Sequence, residues 1–304
     1  MAQLQQLGSA RDLALSSVHG IAFHRGLGTP LHPSSSTALE EYINAENLAD
    51  FGSAAYAKPN IAVVANGADH KDLGKWVGQF FEDVRSSPFS GIPSLESPPS
   101  KYYGGEERIS HNGVSTMILG FSGSSSFAAP GNNFKPEYNV LAALLGGDSS
   151  IKWSRGFSIL SQASAETGAR VSTTNASYSD AGLLYIEMRG GAKGVAAAAK
   201  KVVEALKSLS NTIKEEDFMK AKALAKFKAL EGGQNIDVGL ELTGSGLING
   251  GKPHQLDEIA QAIQGVKLEA VKEAAKAAIE GKASVSSVGD LFVLPWAEEM
   301  GLGV

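Results

Sequence analysis

The residues in this sequence best suited to metal chemistry are its histidines. The six are His19, His24, His32, His70, His111 and His254. Zinc hydrolases hold their metal with two histidines one helical turn apart, because the side chains of residues i and i+4 converge on one face. The closest pair here, His19 and His24, is five residues apart and would diverge on a helix. We therefore predict histidines that are solvated or packed in loops, and no metal site.

Serines and glycines gather between Gly146 and Ser158. The G-x-S-x-G pattern that presents a catalytic serine is missing, so serine catalysis is disfavoured. The loop Gly146-Gly-Asp-Ser-Ser150 could bind a phosphate through its backbone N–H groups, but it lacks the G-K-[ST] ending of a P-loop. We favour a glycine cap that ends a helix and leads into a polar turn.

Three further residues, Lys152, Trp153 and Arg155, could form a basic and aromatic contact patch. The alternative is a tryptophan that covers the helix–loop junction while both cations stay in water, and we favour it. Gly146, Gly147, Lys152, Trp153 and Arg155 are named the contact segment below. We interpret it as an interdomain or intersubunit contact, and expect Trp153 and Tyr178 to be at least partly buried.

Composition narrows the possible functions. A net charge of -5 gives no basic footprint, so nucleic-acid binding is disfavoured. No apolar stretch reaches the roughly 18 residues that a transmembrane helix needs. The chain has 0 cysteines, which excludes disulfides and thiolate metal sites. At 304 residues the chain is long enough for two domains.

The elements that position these residues begin with a helical N-terminal part. Hydrophobic periodicity predicts helices over 2–23, 36–43, 45–56 and 70–84. Ile61 to Ala65 is a short apolar run typical of a buried strand. Four prolines between Ser86 and Ser100 predict an interdomain linker.

The part after the linker mixes strand hairpins with runs of helices. Asn112-Gly113 predicts a hairpin that pairs strand 102–110 with strand 114–122. A second hairpin pairs 170–178 with 183–189, where alternating apolar residues suggest one covered face. Helices are predicted over 136–145, 158–166, 192–209, 214–230, 237–248, 256–263 and 268–279, and a last strand over 282–288. The fold class predicted is α+β.

A weak internal repeat predicts two copies of one domain. Lys58-Pro-Asn-Ile-Ala-Val-Val-Ala-Asn-Gly67 recurs about 220 residues later as Lys282-Ala-Ser-Val-Ser-Ser-Val-Gly289, and the segments before it recur in the same order. The domains expected are 1–85, the C-terminal half of a first domain; 86–101, the linker; and 102–304, a second domain. The first domain is then expected to begin roughly 120 residues before Met1, and its half in this chain to expose an apolar face.

Several segments also resemble a known family. Four of these segments are Gly104-Gly-Glu106, Ser149-Ser-Ile-Lys-Trp-Ser154, Gly156-Phe-Ser158 and Asn175-Ala-Ser-Tyr-Ser-Asp-Ala-Gly-Leu183. They resemble segments of the fungal core protein 2 family of mitochondrial ubiquinol–cytochrome c reductase, respiratory complex III. His19-Gly-Ile-Ala-Phe-His-Arg-Gly-Leu-Gly28 resembles the helix and loop that these proteins share with pitrilysin-type processing peptidases. The resemblance implies two homologous metallopeptidase-like α+β domains, the first only partly present.

The same resemblance implies a function. It is that of a non-catalytic structural subunit without haem, iron–sulfur cluster or quinone, which supports assembly and stability of the complex. Its place is the matrix side of the mitochondrial inner membrane, where it pairs with core protein 1 and other subunits of the complex.

Two alternatives stay open. A subunit of the mitochondrial processing peptidase would carry H-x-x-E-H in a region expected before Met1, or a longer glycine-rich loop at Gly146 to Arg155. The two glycines here depart from that loop and favour the core protein. A free-standing ligand-binding module has only the glycine turn in its support.

Overall fold

The computed structural model describes residues 9–30, 43–87, 99–127, 134–148, 156 and 158–304. Within them, the predicted α+β class is confirmed, since helices pack on a single mixed sheet of five strands. The helices are α1 (Ala10–Phe23), α2 (Ala45–Ala55), α3 (His70–Phe80), α4 (Glu137–Leu145), α5 (Ile159–Thr167), α6 (Ala192–Asn211), α7 (Glu215–Glu231), α8 (Ile236–Gly250), α9 (Leu256–Gly265) and α10 (Leu268–Glu280). The strands are β1 (Gly105–Ser110), β2 (Ser115–Ser122), β3 (Arg170–Ser177), β4 (Gly182–Gly190) and β5 (Ser284–Gly289).

Capping residues in the sequence explain several helix ends. The Asn44 side chain accepts a hydrogen bond at the start of α2, and the Asp69 side chain accepts two at the start of α3. Gly168 and Gly251 adopt left-handed conformations just after α5 and α8. Each cap satisfies backbone groups that a helix end leaves without an internal partner.

The first predicted hairpin is wrong in its pairing. Both strands form, but the sheet order is β1-β5-β2-β4-β3, so β5 lies between β1 and β2. β1 pairs with β5 in parallel, and β2 pairs with β5 and β4 antiparallel. The loop that contains Asn112-Gly113 therefore connects two strands that are separated by β5. A local turn motif does not reveal such a long-range arrangement. The second hairpin, β3 with β4, is confirmed.

Small residues let β5 enter the middle of the sheet. All six residues of β5 are buried, and three of them, Ser284, Ser286 and Ser287, are serines. A Cβ added to Gly289 would lie 2.4 Å from Ser115 Oγ, so a larger residue could not pass β2 at this point. Close approach of backbones thus explains the glycine at the end of the strand.

The sheet is covered on both faces. Leu184, Ile186 and Met188 of β4 face the main core, which includes residues of α4, α6, α9 and α10. Their neighbours Tyr185 and Glu187 are also buried, because α1 packs on the opposite face. The prediction of one covered face is wrong, since the second cover comes from the far end of the sequence.

Two polar contacts fix α1 on the sheet. The Arg11 guanidinium Nε donates to Glu187 Oε1 at 2.8 Å and to Oε2 at 3.0 Å. This carboxylate raises the pKa of Arg11, first through the hydrogen bond and then through its charge. Ser17 Oγ donates to Glu107 Oε2 at 2.5 Å. Ala14 and Val18, both 0% exposed, fill the space between the two contacts.

Residues 43–87 form a less covered region. Ile61 to Ala65 is not a strand, and its residues are half-buried or exposed, so the strand prediction is wrong. A strand needs a paired neighbour, and this run pairs with none in the described part of the chain. Leu48, Phe51, Trp76 and Phe80 expose between 53% and 76% of their surfaces. The exposed apolar face expected of this part is present.

Some predictions concern residues outside the described ranges. They are most of the helix over 36–43, residues 88–98 of the linker, and Lys152, Trp153 and Arg155 of the contact segment. Among the described helices, none combines the length and apolar character that a membrane span requires.

Candidate contact site

The described part of the contact segment is the glycine turn after α4. Gly146 ends the helix with φ 65°, and its N–H donates to Ala142 O at 2.9 Å. An added Cβ would lie 2.3 Å from Ser158 Cβ at Gly146, and 2.2 Å from Val171 O at Gly147. Both positions therefore require glycine for close approach as well as for backbone conformation. The predicted glycine cap is confirmed.

The backbone donors of this turn are all engaged inside the protein. Gly147 N donates to Ser158 Oγ at 3.1 Å. Asp148 N donates to Val171 O at 2.7 Å. With Gly146 N bonded to α4, three consecutive N–H groups have internal acceptors. A phosphate loop needs such groups free and pointing outward, so anion binding by these three residues is disfavoured.

The Asp148 side chain holds the turn against the sheet. Its Oδ1 accepts from Val171 N at 3.2 Å and from Ser164 Oγ at 2.5 Å. The same turn thus connects α4, the first residues of β3 and helix α5, which begins at the Ser158 cap. The Asp148 carboxylate thus has a structural role.

The hairpin β3–β4 carries the most distinctive sequence block, from Asn175 to Leu183. Asn175 Oδ1 accepts from Ser124 N at 3.2 Å, and Asn175 Nδ2 donates to Asn139 Oδ1 at 3.0 Å. At the hairpin tip, Asp180 Oδ2 accepts from Ser100 N at 2.6 Å. These side chains join the hairpin to α4, to the end of β2 and to the chain that enters β1.

Helix α1 meets the same hairpin through His19 and Tyr178. His19 Nδ1 lies 2.7 Å from Leu15 O, so this nitrogen carries the proton, because a carbonyl oxygen only accepts. His19 Nε2 lies 2.5 Å from Tyr178 Oη and accepts from it when the ring is neutral. Burial raises the pKa of Tyr178. Tyr178 is half-buried, as predicted, whereas its contact with a histidine 159 positions away was missed.

A cavity of about 480 Å³ lies beside the hairpin tip. Its walls come from the chain after α1, from α4, from the hairpin and from α8, and include Leu27, Asn139, Tyr178, Leu242 and His254. Burial lowers the pKa of His254, so the ring is neutral near pH 7. The described residues of the lining contain hydroxyl and amide groups but no carboxylate, lysine or arginine. The lining therefore offers no carboxylate pair for acid–base catalysis.

Two further histidines, His24 and His111, make separate contacts. His24 stacks on Tyr103 with ring centroids 4.0 Å apart, and His111 Nδ1 accepts from Gly113 N at 2.9 Å. No group of three or more metal-ligating side chains was found in the described ranges. His24 and His111 lie in loops, as predicted, whereas His19 lies in α1 and contacts the hairpin.

Sequence reasoning missed one further group, the ion pair of Arg108 and Glu106 in β1. Arg108 Nη1 lies 3.2 Å from Glu106 Oε1, and both side chains are nearly buried. A Glu-x-Arg pair on one strand face was the available signal, because residues i and i+2 point to the same side. The strand was predicted to pair with β2, so its position beside β5 and the chain after β5 was not anticipated.

Comparison with known proteins agrees with this architecture. A protein-family model described as "Peptidase M16 inactive domain" matches residues 42–224. Cytochrome b-c1 complex subunit 2, mitochondrial, of Neurospora crassa is 45% identical over 294 residues, which are 96% of this chain and 63% of that protein. The protein of the same name from Cryptococcus neoformans is 31% identical and is matched over 95% of this chain and 64% of its own length. The chain thus spans somewhat less than two thirds of these relatives.

A solved structure gives the same fold at greater distance. The structure titled "Complex III2 from Candida albicans, Inz-5 bound" contains a chain that superposes with a TM-score of 0.82 over 98% of this chain and 72% of its own. The identity is 18%, so this likeness concerns the fold alone.

Proposed function

The chain belongs to the family described as "Peptidase M16 inactive domain". From this premise we propose that its full-length protein is a structural core subunit of mitochondrial ubiquinol–cytochrome c reductase. The observation that carries the proposal is 45% identity over 96% of the chain to a protein named as subunit 2 of that complex. The subunit is non-catalytic and lies on the matrix side of the inner membrane. It pairs with core protein 1 and supports the assembly and stability of the redox subunits.

The geometry gives independent support to a scaffold role. Polar side chains of the second hairpin join elements, as Asn175 does for the hairpin tip and Glu187 does for α1. The cavity near His254 lacks charged groups among its described lining residues. Contacts of this kind fix the arrangement of the helices and strands, and a fixed shape is what a structural subunit contributes.

Loss of the gene tests the proposal. Deleting it is expected to lower cytochrome b and ubiquinol–cytochrome c reductase activity severalfold, because redox subunits without their scaffold are degraded. Imported matrix precursors should still be cut to mature length. The opposite pattern, normal cytochromes with uncut precursors, would establish a processing-peptidase subunit instead.

The domain division belongs to the same proposal. We infer a C-terminal half of a first M16-like domain in residues 1–85, a linker in 86–101 and a second domain in 102–304. The exposed apolar side chains of α2 and α3 support a first domain that is incomplete within these residues. Proteolysis of the full-length protein should cut within 86–101 before it cuts elsewhere, whereas first cuts within α6 or α7 would contradict the division.

We also propose that the contact segment, Gly146, Gly147, Lys152, Trp153 and Arg155, is a surface for another domain or subunit. The supporting observation is that Gly146 and Gly147 are held close to Ser158 and Val171. Replacing Lys152 and Arg155 together by glutamate should weaken retention of the subunit in the complex several-fold. Lys200→Glu with Lys228→Glu, on the exposed sides of α6 and α7, is the control with the same charge change. If both double variants were retained in the complex equally well, the proposed contact role of this segment would be contradicted.

A further inference from the structure

The turn that follows β5 carries a fully exposed aromatic side chain, while other residues of the same turn are buried. Phe292 has a relative exposure of 103% and Trp296 one of 54%. Between and beside them, Leu294 and Ala297 are 3% and 0% exposed and belong to the main core. We call the stretch from Asp290 to Glu299 the Phe292 turn. Its buried residues fix the backbone while Phe292 points away from the protein.

The buried Arg108 side chain holds the Phe292 turn from beneath. Its Nη2 donates to Leu291 O at 2.9 Å and to Leu294 O at 2.8 Å, and its Nη1 donates to Pro295 O at 3.0 Å. The guanidinium carbon also lies 4.1 Å from the centroid of the Trp296 ring. One arginine therefore binds three carbonyl groups and an aromatic face of the same turn. Such a planar set of donors restricts the backbone strongly.

Three carboxylates also accept hydrogen bonds from the backbone of the turn. Glu106 Oε2 accepts from Ala297 N at 3.1 Å, which ties the turn to β1. Asp290 Oδ1 accepts from Phe292 N at 3.1 Å, and Glu299 Oε2 accepts from Trp296 N at 3.0 Å. The backbone on each side of Phe292 is thus fixed before any partner binds. A side chain on an ordered turn loses little conformational entropy on binding, which favours its use as an anchor.

The charged residues of the turn itself are all acidic. Residues 283–304 contain Asp290, Glu298 and Glu299 but no lysine, arginine or histidine. Arg108 is neutralised by Glu106, and Lys207 approaches the segment at Gly301, beyond the turn. Anionic lipid headgroups would be repelled by such a surface. A protein surface that carries lysine or arginine would be attracted to it.

We propose that the Phe292 turn is a docking element, which inserts the Phe292 ring into an apolar pocket rimmed by lysine or arginine on a neighbouring protein subunit. This rests on the proposed function in one respect, that the neighbour belongs to the same complex. The ring supplies the apolar burial, and Asp290, Glu298 and Glu299 select the basic rim. Arg108 acts as a positioning residue that holds the turn in its docked shape.

Photo-crosslinking in the native assembly tests the contact. The full-length protein, with p-benzoylphenylalanine in place of Phe292, is purified in the assembly in which it occurs, irradiated and digested. The result expected is a crosslink to an apolar residue of another protein subunit, flanked in its structure by lysine or arginine. Crosslinks to lipid alone, or none with intact labelling chemistry, would overturn the docking role. If the purified assembly contained no cytochromes, the proposed function would be contradicted. The presence or absence of the crosslink would still test the docking proposal separately.

Substitutions distinguish the contribution of the Phe292 ring to binding from the contribution of the acidic residues. Phe292→Ala should lower affinity for the assembly at least about tenfold, whereas Phe292→Leu should retain most of it. Glu298→Lys should weaken binding most at low salt, and Glu273→Lys, on the exposed face of α10, should leave it unchanged. Because Phe292 is fully exposed, Phe292→Ala leaves the melting temperature unchanged, so a folding defect cannot imitate the result. Unchanged affinity of Phe292→Ala would refute the proposal.

Discussion

At the scale of single residues, polar groups that resemble catalytic or ligand-binding groups in the sequence are used for internal contacts. The glycine turn donates its N–H groups to α4, Ser158 and β3. Asp148 accepts hydrogen bonds that join β3 and α5. Composition alone cannot distinguish this use from ligand binding, because the difference lies in which distant acceptors reach the loop.

The first prediction concerns Gly147. Its φ is 148°, and an added Cβ would lie 2.2 Å from Val171 O and 2.7 Å from Ser172 Cα, both backbone atoms. Gly147→Ala should therefore lower the free energy of unfolding by more than about 2 kcal/mol. Thermal melting monitored by circular dichroism measures the change.

The matched control is Gly239→Ala. Gly239 lies inside α8, and an added Cβ there would meet nothing within 4 Å, so this change should be neutral or stabilising. If both variants melted together with the unmodified protein, the close approach of the glycine turn to β3 would be refuted.

At the scale of elements, the sequence predicted which helices and strands form better than it predicted which strands pair with each other. The helices after residue 134 and the second hairpin appear within a few residues of their predicted bounds, because periodicity and turn residues are local signals. The insertion of β5 between β1 and β2 was not predictable from such signals. It depends on small serines that allow a close approach, and on partners about 170 residues apart.

The two serines on one face of β5 give the second prediction. Ser284 Oγ donates to Tyr102 Oη at 2.9 Å, while Ser286 Oγ has no hydrogen-bond partner among the described residues. Ser284→Ala should cost about 1 kcal/mol of unfolding free energy. Ser286→Ala should be neutral or stabilise by up to about 1 kcal/mol, since it removes an unsatisfied buried hydroxyl.

Urea unfolding of both serine variants measures the difference. The unmodified protein is the reference, and the two substitutions delete the same atom from the same strand face. A loss at Ser286 equal to that at Ser284 would mean that the Ser286 hydroxyl has a partner after all, and would contradict the described packing of α1 on β5.

The third prediction concerns pH and the cavity beside α8. Burial lowers the pKa of His254 below its ordinary value of 6.5, so the folded protein favours the neutral ring. The unfolded chain then binds more protons as the pH falls. Stability from this residue is present above pH 6.5 and declines as the pH falls through the lowered pKa of the folded state.

Replacement of His254 by glutamine should reduce this pH dependence. Melting temperatures measured between pH 7.5 and 5 should fall less steeply for His254→Gln than for the unmodified protein. Parallel curves for the two proteins would show that His254 titrates equally in both states, and that its burial beside the cavity is not maintained in solution.

At the scale of the whole molecule, the chain combines a well-packed sheet unit with a region whose apolar side chains lie exposed. The internal repeat predicted such a region from the sequence, because one copy of the domain was matched only in part. The sequence did not reveal that α1, which precedes the predicted linker, packs on the sheet of the later part. That contact joins residues about 170 positions apart and leaves no local pattern.

The fourth prediction is self-association of the isolated chain. Phe51 and Phe80 are 59% and 76% exposed, and clusters of such residues drive association in water. Light scattering after size exclusion should show oligomers, and Phe51→Ser with Phe80→Ser should shift them toward monomer. Met219→Ser, at a site 53% exposed on α7, is the control and should change little. A monomeric unmodified chain at micromolar concentration would contradict this.

The central claim is that the full-length protein is a structural subunit of ubiquinol–cytochrome c reductase, and native purification from mitochondria tests it most directly. We predict that the tagged protein co-purifies with spectroscopically detectable cytochromes b and c1 in one assembly, and that this assembly does not cleave presequence peptides. Recovery in a soluble matrix heterodimer that cleaves presequences and contains no cytochromes would contradict the account.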